Sequence, residues 1–279
     1  MEKIVSLSSN EDKSYLYYTP IVARIWRSFG YEPFINLVLP DVNTEFNQFI
    51  LSWLKDFHVQ ITNPPSNYPS WALAPIIRLF SYQYLPNNSF ILLSDIDMLP
   101  INKEYFQNVD TKKSFYIIGE DSNTGGYGYS RYPICYIGGQ KEAFESLFQC
   151  TNFDNLSSLI CRLASVHDND KRSADELLFK KCFDLIGENY ETTFVWRKMV
   201  RNPGYNGQSY GVPGILPEGR MDRSNWPISL DSVNWKEIID LHGKRCFSED
   251  YLVDLQKIVN INNLDPEIIN YLESIQDVY

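Results

Sequence analysis

The sequence has no Lys/Arg run longer than two residues and no pair of cysteines in CxxC spacing. It also lacks an apolar stretch of the roughly 18 residues that a membrane span requires. The first absence, with a formal net charge of −10, argues against nucleic acid, whose binders carry a basic patch. An acidic surface gives no help on anionic lipid either. The missing apolar stretch leaves no candidate membrane span. The five cysteines, Cys135, Cys150, Cys161, Cys182 and Cys246, are odd in number. That excludes a disulfide framework and a structural zinc site as the organising device, and free thiols in a reducing compartment are expected. The opening MEKIVSLSSNEDKSY has no basic flank followed by an apolar core, so it does not read as a signal peptide. The expected location is the cytoplasm.

What is present is apolar and aromatic. Hydrophobic residues make up 44% of 279 positions, enough for a substantial core in one large domain. Aromatics reach 15%, with 19 Tyr and 16 Phe. Tyr offers a flat apolar surface with a hydroxyl, which suits a sugar or base pocket and equally suits a large sheet.

Strands and helices alternate along the chain. Ile4 to Leu7, Pro33 to Leu39, Phe57 to Ile61, Phe90 to Ser94, Ser114 to Gly119 and Ile134 to Gly138 read as strands. Tyr15 to Phe29 reads as a helix in which Pro20 forces a kink or a late start, and Gly30 stops it. Glu45 to Lys55, Lys141 to Cys150, Phe153 to Leu163 and Ala174 to Ile186 read as further helices. Ser70 reads as the N-cap of a helix through Tyr84, with Pro75 tolerated in its first turns. Ser248 to Tyr279 is helical, with Asp265 as an N-cap before Pro266 at the first helical position. The pattern predicts an α/β fold, a mostly parallel sheet between helices, as one domain over 1–279. Arg201 to Pro227 breaks the texture with five glycines and four prolines, as a lid or binding loop does.

The central signal is Phe90-Ile91-Leu92-Leu93-Ser94-Asp95-Ile96-Asp97-Met98-Leu99-Pro100. The apolar run predicts a strand buried on both faces, and it delivers two aspartates at its carboxyl end, where open α/β sheets bind ligands. Carboxylates that close repel unless a cation or protons intervene. A hard divalent ion satisfies both and can hold a diphosphate as well. Elsewhere Asp-X-Asp is also what an N-cap and a turn aspartate look like.

With these segments the sequence resembles the GT-A glycosyltransferases, which carry Asp-X-Asp at this place. Ile4 to Asn10 resembles their nucleotide-binding first strand and loop, which implies donor contacts at Ser6, Leu7 and Ser8. Tyr15 to Pro33 resembles the helix that follows, with Tyr15 in its aromatic start. Arg78 stands 17 residues before Asp95, like the donor-reaching arginine of the retaining glycogenin and galactosyltransferase branch. Asp95, Ile96 and Asp97 are then the Asp-X-Asp motif. Tyr136-Ile137-Gly138-Gly139 resembles the sugar-pocket strand and turn. Ser173-Ala174-Asp175-Glu176 resembles the acidic start of a later helix near the transferred sugar. Leu241-His242-Gly243-Lys244 resembles the closing His…Gly…Lys region, although the branch spaces its glycine and lysine further from the histidine.

The resemblance implies a fold with a nucleotide-sugar half over 1–140 and an acceptor half over 141–279. It implies a manganese or magnesium ion on Asp95, Asp97 and His242, with Gly243 and Lys244 at the diphosphate. The donor is a nucleoside-diphosphate sugar, with uridine favoured, and the acceptor is a glycan or another hydroxyl. Chemistry agrees: manganese accepts carboxylate and imidazole together and acts as a Lewis acid on a leaving diphosphate, while Arg78 and Lys244 add fixed positive charge. His58 and His167 have no such context and read as structural or exposed.

An inverting transfer needs a general base. Asp175, Glu176, Glu120, Asp121 and Asp222 qualify by type, and Asp175 has the position, where it also suits a helix N-terminus. A retaining transfer, which His242 favours, needs none, since the leaving diphosphate can take the proton. Tyr205, Tyr210 and Trp226 in the Gly-rich segment are candidates to stack on an acceptor sugar or to pack onto the body. Two alternatives stay open. Haloacid dehalogenase-type phosphatases also set Asp-X-Asp after an apolar strand and use the first aspartate as nucleophile, but their motif continues with Thr or Val where this chain has Leu99. A non-catalytic sugar-nucleotide-binding module is the other.

Overall fold

The computed structural model describes residues 1–65, 68–120, 134–149, 174–200, 219–221, 223, 226, 230–245 and 248–278. The expected helix Phe153 to Leu163, most of Arg201 to Pro227 with Tyr205 and Tyr210, and Asp121, Asp222 and His167 lie outside these residues. So does the side chain of Glu120.

Among the described residues the strands are β1 (Glu2–Asn10), β2 (Glu32–Val38), β3 (His58–Thr62), β4 (Ser89–Ser94), β5 (Met98–Pro100), β6 (Phe115–Glu120), β7 (Tyr136–Gln140), β8 (Thr192–Val200), β9 (Gly219–Met221) and β10 (Ile238–His242). They join in one sheet of order β3-β2-β1-β4-β7-β6-β8-β9-β10-β5. Six of its nine pairings are parallel, so the sheet is mostly parallel as the alternating pattern predicts. β4 is buried at every position between β1 and β7, the environment that continuous apolar strands require.

Two apolar cores form, one on each face of the sheet. The helices are α1 (Lys13–Leu16), α2 (Tyr18–Ser28), α3 (Glu45–Trp53), α4 (Ser70–Ile77), α5 (Lys103–Gln107), α6 (Lys141–Phe148), α7 (Ala174–Ile186), α8 (Glu249–Ile261) and α9 (Glu267–Ile275). The first core centres on Trp26 of α2, which meets Phe29, Tyr31, Phe106 and Tyr136 edge-on. It takes in α3, α8 and α9. The second packs Phe80, Phe144, Phe148 and Phe179 against β4, β6 and β7.

Where the elements depart from the pattern, local chemistry accounts for it. The expected helix from Tyr15 divides at Tyr17, and α2 starts late enough to put Pro20 in its first turn, where a missing N–H costs nothing. It ends as expected. Gly30 takes φ +89, the Gly30 amide donates to Arg27 O at 3.0 Å, and the Tyr31 amide donates to Trp26 O at 3.1 Å, a Schellman closure. The helix expected through Tyr84 stops at Ile77 and continues as a 3-10 turn over Arg78–Tyr84. There the hydroxyls of Ser6 and Ser81 both donate to Arg78 O, at 3.2 and 2.9 Å, competing for the carbonyl that an α-helical amide would use.

Candidate active site

β4 ends at Ser94 and the chain turns through Asp95-Ile96-Asp97, where the Met98 amide donates to Asp95 O at 3.3 Å. The turn sends its carboxylates to different partners. Asp95 Oδ1 is held by Arg78 Nη1, and Arg78 Nη2 reaches Asp175 Oδ2 at 3.1 Å. Arg78 and Asp175 are buried, and the Asp95 side chain is 35% exposed. Arg78 is placed by the 3-10 turn, which Ser6, Ser81 and Asn36 tie to β1 and β2. Asp175 is placed in the first turn of α7, with Glu176 half-buried beside it.

Burial works against the Arg78 charge, yet the two carboxylates together hold its proton more firmly than usual. Asp175 is pushed up from the ordinary aspartate value, first by burial and then by Asp95, while Arg78 pulls the other way. One cation thus serves two carboxylates, and the fully enclosed one bears the cost.

The second cluster is made by strand pairing. β10 runs antiparallel to β5 with His242 opposite Met98, so His242 comes beside Asp97. Asp97 Oδ2 lies 3.2 Å from His242 Nε2, and the Gly243 amide donates to Asp97 O at 2.7 Å. Two cations share that carboxylate oxygen: Arg223 Nη1 at 3.6 Å and Arg245 Nε at 3.5 Å. Burial pushes the Asp97 carboxyl up. His242 first, then Arg223 and Arg245, outweigh it and hold the group well below the usual carboxylate range.

Tyr15 is half-buried and closes this cluster, with the Arg245 guanidinium 4.6 Å from its ring centre. Burial raises the hydroxyl's affinity for its proton more than Arg245 lowers it. Lys244 is clamped by its backbone: its amide donates to the Tyr251 hydroxyl at 2.9 Å and its carbonyl accepts from Tyr18 at 2.8 Å. Its ammonium lies 4.9 Å from the Trp226 ring centre. A Cβ at Gly243 would run into the Tyr18 hydroxyl, so a glycine is required there.

The structure therefore brings Asp97, His242, Gly243, Lys244 and Tyr15 into one group and Arg78, Asp95 and Asp175 into a neighbouring one. Among the described residues, no three His, Cys, Asp or Glu side chains are grouped to hold a metal. Ser6, Leu7 and Ser8 are buried within β1 and Ile96 is buried in the turn after β4, and the Ser6 hydroxyl is spent on Ser81 and Arg78. Gly138 and Gly139 lie opposite Leu92 and Ile91 within the sheet. The room they leave is filled by Phe90 at the first and by Ser114 O, Phe115 and Phe144 at the second. The Trp226 indole donates to His242 O at 3.1 Å and packs on Tyr251, so its ring lies against the body. Sequence reading passed over Arg223 and Arg245. Arg245 adjoins the His-Gly-Lys segment and was open to notice; Arg223 sits in the Gly-rich stretch, where nothing marks it.

No family model matches this sequence, and no curated protein does. Among solved structures, the galactosyltransferase LgtC in complex with donor and acceptor sugar analogues is 10% identical, over 96% of this chain and 99% of its own, with a TM-score of 0.46. The glycosyltransferase GlyE of Streptococcus pneumoniae TIGR4 is 12% identical over 69% of this chain at a TM-score of 0.39, and the chain spans only 45% of its length. S. aureus TarS in complex with UDP-GlcNAc is 14% identical, over 78% of this chain and 63% of its own, at 0.40.

Proposed function

We propose that the protein is a GT-A type glycosyltransferase that takes its sugar from a nucleoside-diphosphate donor, with uridine as the favoured base. The observation that carries this reading is the pairing of β5 with β10, which sets Asp97 and His242 side by side beyond the carboxyl end of β4. Cations crowd the same place, as an anionic leaving group requires.

The pair suits a divalent ion. Asp97 Oδ2 and His242 Nε2 are 3.2 Å apart, and manganese accepts carboxylate and imidazole together. Asp97 and His242 would hold the ion, and Asp95 is the third residue proposed for it. When bound, the ion supplies Lewis-acid stabilisation of the diphosphate. The other duties fall to side chains. Arg78 holds Asp95 and Asp175 in fixed places at the sugar side. Lys244 and Gly243 border the diphosphate side, and Tyr15 walls the cluster.

In the transfer, the bond from the anomeric carbon to the diphosphate breaks and the acceptor hydroxyl forms the new one. Asp175 is buried and bound to Arg78, which suits positioning better than free proton abstraction. That favours the retaining course, in which the leaving diphosphate takes the acceptor's proton. The phosphatase alternative is not favoured: its motif continues with Thr or Val where this chain has Leu99.

The test is a thermal-shift screen of nucleotide-sugars with and without Mn²⁺. A ligand that binds only the folded state stabilises it by RT ln(1 + [L]/Kd), about 2.7 kcal/mol at a hundredfold excess over Kd. The true donor is expected to stand out and Asp97→Ala to abolish the metal-dependent part of its shift. A shift that Asp97→Ala leaves untouched refutes the assignment.

A further inference from the structure

We infer that the Arg223 guanidinium is a cation surrogate, seated on the two atoms that the divalent ion takes and exchanged for it when the donor binds. The inference rests on the metal site proposed above. Arg223 Nη2 contacts His242 Nε2 while its Nη1 lies 3.6 Å from Asp97 Oδ2. One planar group thereby spans both proposed ligand atoms. A guanidinium has only donors, so it engages the same lone pairs that a metal would use. Arg245 reaches the same carboxylate oxygen from beside Tyr15.

The exposures say which partner can leave. The Asp97 side chain is 6% exposed, Arg223 27% and Arg245 49%. The carboxylate is fixed in the protein; the arginines approach it from the open side and can withdraw into water. They also outnumber it. Arg223 and Arg245 bring two positive charges to one carboxylate. That surplus fits the charge of a diphosphate, which guanidinium groups bind bidentately. An arriving metal–diphosphate therefore takes Asp97 and His242 for the metal and frees both arginines for phosphate oxygens.

Two opposed effects of one substitution test this. Mn²⁺ affinity without nucleotide is measured from the electron paramagnetic resonance of the free ion. Uridine diphosphate affinity in chelator is measured by calorimetry. Arg223→Gln is expected to bind Mn²⁺ at least about fivefold tighter and uridine diphosphate at least about fivefold weaker than wild type. Arg223→Lys keeps the charge but cannot span both atoms, so it should tighten Mn²⁺ binding while losing less nucleotide affinity than Arg223→Gln. A surrogate role is overturned if Mn²⁺ affinity is unchanged or falls in both variants. Asp97→Asn separates the two levels. If it abolishes Mn²⁺ binding while the arginine variants change nothing, the surrogate fails alone; if it leaves Mn²⁺ binding intact, the metal site fails and takes the surrogate with it.

Discussion

Asp97 is the residue on which most of the local electrostatics converge, and its stability contribution has a sign. The group is held below the ordinary value of 3.8 by His242, Arg223 and Arg245, against burial. A depressed carboxylate contributes stability in full above its unfolded value, and the contribution disappears as the pH falls toward the folded one. In metal-free protein, wild type should be more stable than Asp97→Asn at neutral pH, and the gap should narrow from about pH 5 to about pH 3. Urea unfolding at a series of pH values measures it; a gap that stays constant would show that the cations do not hold the charge. Asp175 runs the other way. Its pKa is raised, so its contribution is greatest below the ordinary value and declines as pH rises through the shifted one.

The elements show what a sequence discloses about architecture. β1, β2 and β4 are legible to within a few residues because inner strands of a mostly parallel sheet are buried on both faces. β5, β9 and β10 are not. They are three to five residues long and acquire their strand character from pairing with distant segments, β5 and β9 on β10 and β9 also on β8. Asp95 and Asp97 were readable because a strand points at them. The partnership of Asp97 with His242 was reachable only through a motif, since nothing local links positions so far apart. Gly138 and Gly139 were read as pocket residues from the resemblance of Tyr136-Ile137-Gly138-Gly139, while the room they leave is occupied by the core. That occupancy gives a prediction. A Cβ at Gly139 would stand 2.8 Å from the backbone oxygen of Ser114, which cannot rotate away. Gly139→Ala should cost about 1–3 kcal/mol, the range for overpacking, read as a lowered urea midpoint with an unchanged slope.

At the scale of the molecule, the last two helices complete the first core. Tyr251, Leu252, Leu255 and Ile258 of α8 and Ile268, Tyr271 and Leu272 of α9 are buried in it, and the Tyr271 hydroxyl donates to Tyr17 O at 2.7 Å. Their break is set by Asn263 at φ 48, after which the Leu264 amide donates to Val259 O. Asp265, one residue before the Pro266 cap of the helix that follows, accepts from the Glu267 amide at 3.0 Å. Removing residues 248–279 would strip one face of α2 and expose several large side chains, each worth about 1.5–3 kcal/mol when buried. The shortened chain should lose its near-ultraviolet circular dichroism and bind a hydrophobic dye. A truncated protein with native tertiary signals would show that the core closes without them.

The antiparallel contact of β5 with β10 has one more consequence. It unites side chains 145 positions apart in the chain. An ion gripped by both would tie off a loop of that length, and loop closure of that kind disfavours the open chain more than the folded one. The ion would then act as a clasp as well as an electrophile. Chelation would loosen the fastening of the C-terminal segment, and proteases would find their first cuts there before any change reached the strands around β1.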